Sequence, residues 1–172
     1  MKLYEITQQP NQFLTVPKEI KNWLDKMKVR NYSIQPNGVV DVNGDVDLYN
    51  KLLTSFPVQF GSVGGNFYCA NNKLTSLAGA PSSVGGDFYC SGNMLTSLHN
   101  IHKIIKSIGE EFLCDDHKIK SHILGLLLIK NLKQIYGIKD VENIINKYLP
   151  LGDIHACQEE LIQAGFPECA KL

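Results

Sequence analysis

The chain is 172 residues long and 44% apolar, with 17 basic and 17 acidic side chains. A chain of this size can bury one continuous core, and its balanced charge excludes a global field that would recruit nucleic acid or anionic lipid. The opening MKLYEITQQPNQF has no uninterrupted apolar stretch of the kind an export signal needs, and the longest apolar run, 123–129, is too short to span a bilayer.

A soluble protein of the cytoplasm is therefore expected, in which Cys69, Cys90, Cys114, Cys157 and Cys169 stay reduced. The sequon Asn31-Tyr32-Ser33 is then no glycan site. Residues 1–36 read as an N-terminal cap. Pro17 suits the first turn of a helix over about 17–30, with Ile20, Leu24 and Met27 on one stripe beside Trp23. Residues 32–42 then lead into a sheet through the Asn37-Gly38 turn.

Residues 37–122 are four turns of one pattern. SVGGNFYCANNKLTSLAGAP, from Ser62, recurs 21 residues later as SVGGDFYCSGNMLTSLHNIH, from Ser83. A degenerate copy precedes them, with Val46, Leu48, Leu53 and Phe56 21 residues before Phe67, Cys69, Leu74 and Leu77. A fourth follows a three-residue insertion, with Phe112, Cys114 and Ile119 at the positions of Phe88, Cys90 and Leu95. Period-two alternation over 45–48, 66–69, 87–90 and 111–114 predicts short strands that pair in parallel from turn to turn. Val46, Leu48, Phe67, Cys69, Phe88, Cys90, Phe112 and Cys114 then point inward.

Asn72 and Asn93 are predicted to be buried and to bond the backbone as a ladder, while Lys51 and His117 replace asparagine in the outer turns and leave them without that partner. The Leu-Thr-Ser-Leu and Gly-Ala-Pro half of the repeat is too short for a helix and should be extended or a turn on the convex side. Gly64-Gly65 and Gly85-Gly86 neither open a helix nor precede a P-loop lysine, and read as tight-turn positions.

Residues 123–172 read as a C-terminal helical cap. Three helices are expected: one over 121–136 ending at Gly137, one over 140–149 stopped by Pro150, and one over 153–164 capped by Asp153 and closed by Gly165. The apolar run 123–129 should be buried between the last repeat and the other helices. The fold expected is α/β (α+β): a short leucine-rich-repeat-like solenoid with parallel strands, a helix/strand cap in front and a three-helix cap behind, in one compact body. Caps are required because the end of a solenoid exposes its apolar core.

The Asn-x-Leu-Thr-Ser-Leu phrase is similar to the short repeats of secreted bacterial leucine-rich-repeat effectors. The full layout comprises a Trp-Leu helix, an Asn-Gly-x-Val-Asp-Val-Asn-Gly-Asp-Val lead-in, GGDFYC repeats and the tail SHILGLLLIKNLKQI…IINKYLPLGDIHACQEELIQAGF. Over nearly the whole chain it resembles a family of small leucine-rich-repeat proteins common in tailed-phage genomes. The resemblance implies phage origin and a host-cell cytoplasmic setting, and it brings no biochemical role with it.

Few residues suggest chemistry. Cys69, Cys90 and Cys114 occupy equivalent inward positions, where free cysteine packs as a small hydrophobe. His99-x-x-His102 followed by Cys114-x-x-His117 has zinc-like spacing, but Cys114 should face the core and the first pair lies in another segment, so no metal is expected. Cys157 has His155 and Glu159 nearby in sequence, yet residues two apart on a helix do not face each other, and a buried helix cysteine fits better than a nucleophile. The helical tail is too short for the ligase domain that some of the effectors carry. No catalytic residue, no cofactor and no enzymatic activity are expected.

The outward strand positions say more. The position before the first inward residue holds Asp45, Asn66, Asp87 and Glu111, and the position between the inward pair holds Asp47, Tyr68, Tyr89 and Leu113, with Asp115 beside them. Residues 37–116 carry four lysines against eight acids. Acids alone would suit a solvated face, whereas tyrosines stacked among them resemble interface anchors. The expected function is a non-enzymatic scaffold whose concave face, Asp45, Asp47, Asn66, Tyr68, Asp87, Tyr89, Glu111 and Asp115, docks a host or phage protein, basic in character, to inhibit a host defence function. Nucleic acid and membrane are not expected as partners. The alternatives are a self-associating structural component and a metal-binding or cysteine-dependent enzyme.

Overall fold

Pro17 opens helix α1 (Pro17–Met27) at the position where its missing N–H costs nothing, and Lys28, at φ +62°, ends it a little before the expected 30. The computed structural model describes residues 13, 14, 16–115 and 118–172. Ile20, Trp23 and Leu24 are buried on one side of α1, and the Trp23 ring meets Phe60 edge to face at 6.3 Å. The expected Asn37-Gly38 turn joins β1 (Tyr32–Ile34) to β2 (Val40–Val42) as an antiparallel hairpin, with Gly38 at φ +82°.

From β2 onward the chain is a β-solenoid of about five turns with helices at its ends. Each turn contributes a strand to two sheets. The front sheet, in the order β10-β9-β7-β5-β3, contains β3 (Val46–Asp47), β5 (Phe67–Tyr68), β7 (Phe88–Tyr89), β9 (Glu111–Leu113) and β10 (Gln134–Tyr136). The back sheet, β1-β2-β4-β6-β8, adds β4 (Phe60–Val63), β6 (Ser83–Val84) and β8 (Ser107–Ile108). All solenoid strands pair in parallel, and the 21-residue repeat is kept where Val46 pairs with Phe67 and Phe67 with Phe88. The three-residue insertion is absorbed by a single helical turn, α2 (Ile101–Ile104), so that Ser107 still lies opposite Ser83.

Two features of the repeat differ from the sequence expectation. The Ser-Val before each glycine pair is itself a strand, which makes the back sheet. The paired glycines do not serve a left-handed turn, since none of Gly64, Gly65, Gly85 and Gly86 has a positive φ. Gly65, Gly85 and Gly86 are needed because successive coils nearly touch at the corner between the sheets: a Cβ on Gly85 would lie 2.2 Å from the carbonyl oxygen of Gly64, and one on Gly86 2.1 Å from Oδ1 of Asn66.

The C-terminal region also departs from the three helices expected. Residues 121–136 are not one long helix. Leu124–Leu128 form a 3₁₀ turn, with Leu124, Gly125 and Leu126 buried as the apolar run foretold, and β10 then adds a fifth strand to the front sheet. The cause is tertiary. Ile135 enters the core column over Phe112, and the extended backbone around Lys130 pairs with the back sheet through Ile108 N–H to Lys130 O at 3.0 Å. Helices α3 (Glu142–Tyr148) and α4 (Ile154–Gln163) form where the second and third were expected, the latter with Asp153 Oδ1 accepting from the Ala156 N–H at 3.0 Å.

Asn146 of α3 closes the exposed edge of β10 as a strand would. It accepts from the Ile135 N–H and donates to the Ile135 carbonyl, both at 2.8 Å. The core runs the length of the solenoid through Phe60, Phe67, Phe88 and Phe112, all 0% exposed, with Phe88 stacked on Phe112 at 5.6 Å. Among the described residues no helix is long and apolar enough to cross a membrane.

Candidate functional site

The inward residues of the front sheet behave as their alternation predicts. Val46, Leu48, Phe67, Cys69, Phe88, Cys90, Phe112 and Cys114 are fully buried, as are Leu74 and Leu95 at the turn. Asn72 and Asn93 are buried too, at 6% and 4% exposure. Asn72 Nδ2 donates to the carbonyls of Leu48, Cys69 and Ala70 at 2.8, 3.0 and 3.3 Å, while its Oδ1 accepts from the N–H groups of Lys51 and Leu53 at 2.9 Å. Asn93 repeats the arrangement one coil later, donating to Cys69 O and Cys90 O and accepting from Leu74 N–H. Lys51 thus contributes a backbone donor to the ladder although its side chain cannot join it. His117, the other expected departure, lies outside the described residues.

The outward residues divide into two columns. Asp45, Asn66, Asp87 and Glu111 follow the glycine corner, and three of them are engaged in structure. Asp45 Oδ1 accepts from Asn66 N–H at 2.7 Å, Asn66 Oδ1 from Asp87 N–H at 2.7 Å, and Asp87 Oδ1 from Glu111 N–H at 3.0 Å. The column expected to meet a partner is therefore also a second ladder that ties coil to coil.

The next column, Asp47, Tyr68, Tyr89 and Leu113, stands on the strands themselves. Tyr68 and Tyr89 are half-buried and stacked, with centroids 4.9 Å apart and planes 20° from parallel. Their hydroxyls are fixed by the first column: Asn66 Nδ2 donates to Tyr68 Oη at 2.8 Å, and Tyr89 Oη donates to Asp87 Oδ2 at 2.9 Å. That hydrogen bond to a carboxylate, more than burial, pushes the Tyr89 hydroxyl up to about 12. Asp115 sits beyond Leu113, exposed, with its N–H donating to Ser91 Oγ at 2.9 Å. No ion pair reaches Asp45, Asp47, Asp87, Glu111 or Asp115 among the described residues.

The structure extends this column by one residue that the sequence reading missed. β10 pairs Tyr136 with Leu113 and Gln134 with Glu111, so the columns continue as far as Tyr136 and Gln134. Burial, followed by the Glu111 and Glu142 carboxylates, raises the Tyr136 hydroxyl above its usual range. Gln134-Ile135-Tyr136 carries the polar-apolar-aromatic alternation of Asp87-Phe88-Tyr89, a signal hidden by the helical composition around it. The back sheet carries an outward row of its own, in which Asp41 Oδ1 accepts from both N–H and Oγ of Ser62, and Ser83 Oγ meets Ser107 Oγ at 2.8 Å. Those Ser62 donors and Gln35 hold Asp41 below the usual carboxylate range, against the opposing effect of burial.

The sequence motifs for chemistry are dispersed. Cys114 is in the core, and the His99 ring packs edge to face on His122 at 4.7 Å, while His122 Nδ1 lies 3.2 Å from Ser97 Oγ. His102 Nδ1 is buried without a hydrogen-bond partner, and burial, then Lys103, Lys106 and His99, lowers its pKa. Among the described residues no three His, Cys, Asp or Glu side chains converge to hold a metal. Cys157 is buried in α4, its thiol pushed up to about 11 by burial and then by Glu160 and Asp153, opposite to the shift that activates a nucleophile. His155 turns to Glu159 on the exposed side of the helix. A cleft of about 680 Å³ lies between Ile138, Val141 and Phe166 at the C-terminal end, away from the tyrosine column. No protein family, curated protein or solved structure matches the chain.

Proposed function

We propose that this protein is a non-enzymatic binding scaffold that docks a basic protein partner on the outer face of its front sheet. The observation that carries the reading is the Tyr68–Tyr89 stack, locked at both hydroxyls by Asn66 and Asp87 and set among carboxylates, Asp45, Asp47, Asp87 and Glu111, that no ion pair reaches among the described residues. Rigid aromatic side chains with their rotamers already fixed lose little entropy on binding, which is the property of interface anchors. The acids steer a cationic surface toward them and turn nucleic acid away. In this reading the partner is a host or phage protein inhibited in the host cytoplasm, a setting drawn from the resemblance of the repeats to those of small phage leucine-rich-repeat proteins.

The test is capture of the partner by the purified protein from infected cells, with its mass identified, beside the Tyr68→Ala/Tyr89→Ala variant. Both side chains point away from the core, so the variant keeps the fold and should lose the partner. Equal capture by both proteins overturns the proposal.

A further inference from the structure

The stack of tyrosines ends abruptly on one side. In the front sheet Tyr89 lies between Tyr68 and Leu113, and both of its faces have a neighbour. Among the described residues Tyr89 is the one ring stacked on Tyr68, and the residue opposite Tyr68 in β3 is Asp47. The 4.9 Å centroid separation matches the spacing of adjacent strands, so the rings are displaced from each other along the solenoid axis and the other face of Tyr68 looks toward coil one. Asp47, short and exposed, stands where a third ring would continue the stack.

That carboxylate is half-engaged. Asp47 Oδ1 accepts from the Tyr49 N–H at 2.9 Å, and this Asx turn sets the direction of the side chain. Tyr49, 52% exposed, stands two residues along on the same outward side, its hydroxyl held by Asn71 Nδ2 at 2.8 Å. The step between coils one and two thus brings together the Tyr68 ring, an exposed carboxylate and a second tyrosine.

From this geometry we infer that the step is an arginine-binding notch, in which a guanidinium of the partner stacks on the face of Tyr68 away from Tyr89 and donates in its plane to Asp47. A guanidinium is flat, always charged, and able to stack on a ring while its N–H groups reach a carboxylate. It completes the stack as its third layer. Lysine satisfies the charge but supplies no planar layer, so the notch ranks arginine above lysine and both above a neutral isostere. β3 is also the end of the front sheet, and the alternation that turns Val46 N–H and Leu48 N–H toward β5 turns the backbone of Asp47 away from it.

The inference rests on the reading of the front sheet as a docking face, and its test is separable from the test of that reading. Arginine amide, lysine amide and citrulline amide are each titrated into the whole protein while NMR follows the ring signals of Tyr49, Tyr68 and Tyr89. Arginine amide should shift the Tyr68 ring saturably, lysine amide at least threefold more weakly, and citrulline amide not at all. Asp47→Asn keeps the acceptor for Tyr49 N–H and removes only the charge, so it should weaken arginine binding at least tenfold with the fold unchanged. Asp115→Asn, outside the notch, should leave it unaltered. Shifts spread evenly over the acidic residues without saturation, or an Asp47→Asn titration equal to wild type, overturn the notch. If the notch fails while Tyr68→Ala/Tyr89→Ala still loses the captured partner, the docking face stands and only its arginine is lost.

Discussion

Two side-chain ladders link the coils of this solenoid, one beneath the front sheet and one on it, and they make the same kind of bond under opposite conditions. Asn72 and Asn93 are nearly inaccessible and must both donate to carbonyls of two coils and accept from backbone N–H groups. An uncharged amide offers two donor hydrogens beside an acceptor oxygen, where a hydroxyl has a single hydrogen to donate, which is why both positions are asparagine. Asp45, Asn66 and Asp87 need only accept one N–H from the next coil, at a surface where charge is solvated. Aspartate and asparagine therefore interchange there, and the atom left over is free to hold a tyrosine. Burial restricts the inner ladder to structure, and exposure leaves the outer one able to serve a surface as well.

Breaking the inner ladder should produce the largest effect. Asn72→Ala strands the N–H groups of Lys51 and Leu53 and removes the amide donor to the Leu48 carbonyl, and should cost about 3 to 5 kcal/mol in urea unfolding. Asn72→Asp should be comparably damaging, because the carboxylate cannot donate and would be charged in the core. A loss under about 1 kcal/mol for either would show that water or a neighbour replaces the amide.

Next comes the corner where the coils approach. Gly85→Ala places a methyl against Gly64 O and should cost about 2 to 3 kcal/mol with an unchanged urea slope, by pushing coils apart rather than by constraining φ. In the outer ladder the two substitutions should separate. Asp87→Ala loses the acceptor for Glu111 N–H and should cost about 1 kcal/mol, whereas Asp87→Asn keeps it and should cost under about 0.5 kcal/mol. If Asp87→Asn is as harmful as Asp87→Ala, charge and not the ladder bond is what matters at that position.

The smallest effect is a titration. The hydrogen bond to Asp87, followed by burial, raises the Tyr89 hydroxyl from 10.0 to about 12, so the folded state favours the neutral phenol more than the unfolded state does. The stability from this contact is complete below pH 10 and is lost as pH rises from 10 through about 12. Ultraviolet titration should show one tyrosine ionising near 12, and Asp87→Asn should bring it back toward 10. A tyrosine that stays near 12 in the variant would assign the shift to burial instead.

The inner ladder was legible in the sequence and the outer one was not. Asn72 and Asn93 announce themselves by recurring 21 residues apart, each two residues before a leucine, Leu74 and Leu95, a polar residue held among apolar ones. Asp45, Asn66, Asp87 and Glu111 also recur, but a repeated acid is what solubility alone would produce, so its bond to the next coil could not be seen. The tyrosine column was read from its period, yet its end at Tyr136 was missed because the apolar run 123–129 suggested a helix that would continue through it.

The sequence by itself determined the solenoid: a 21-residue period with alternating apolar strands and a buried asparagine admits a stack of parallel coils, because period and alternation are properties of the chain. It determined the core residues for the same reason. Tertiary structure alone decided that Ser-Val makes a back sheet, that Gly65, Gly85 and Gly86 are required by contact between coils, that Gln134-Ile135-Tyr136 is a strand, and that Tyr68 lies opposite Asp47. Each of these depends on what the neighbouring coil places at one strand spacing, and that neighbour is distant in sequence.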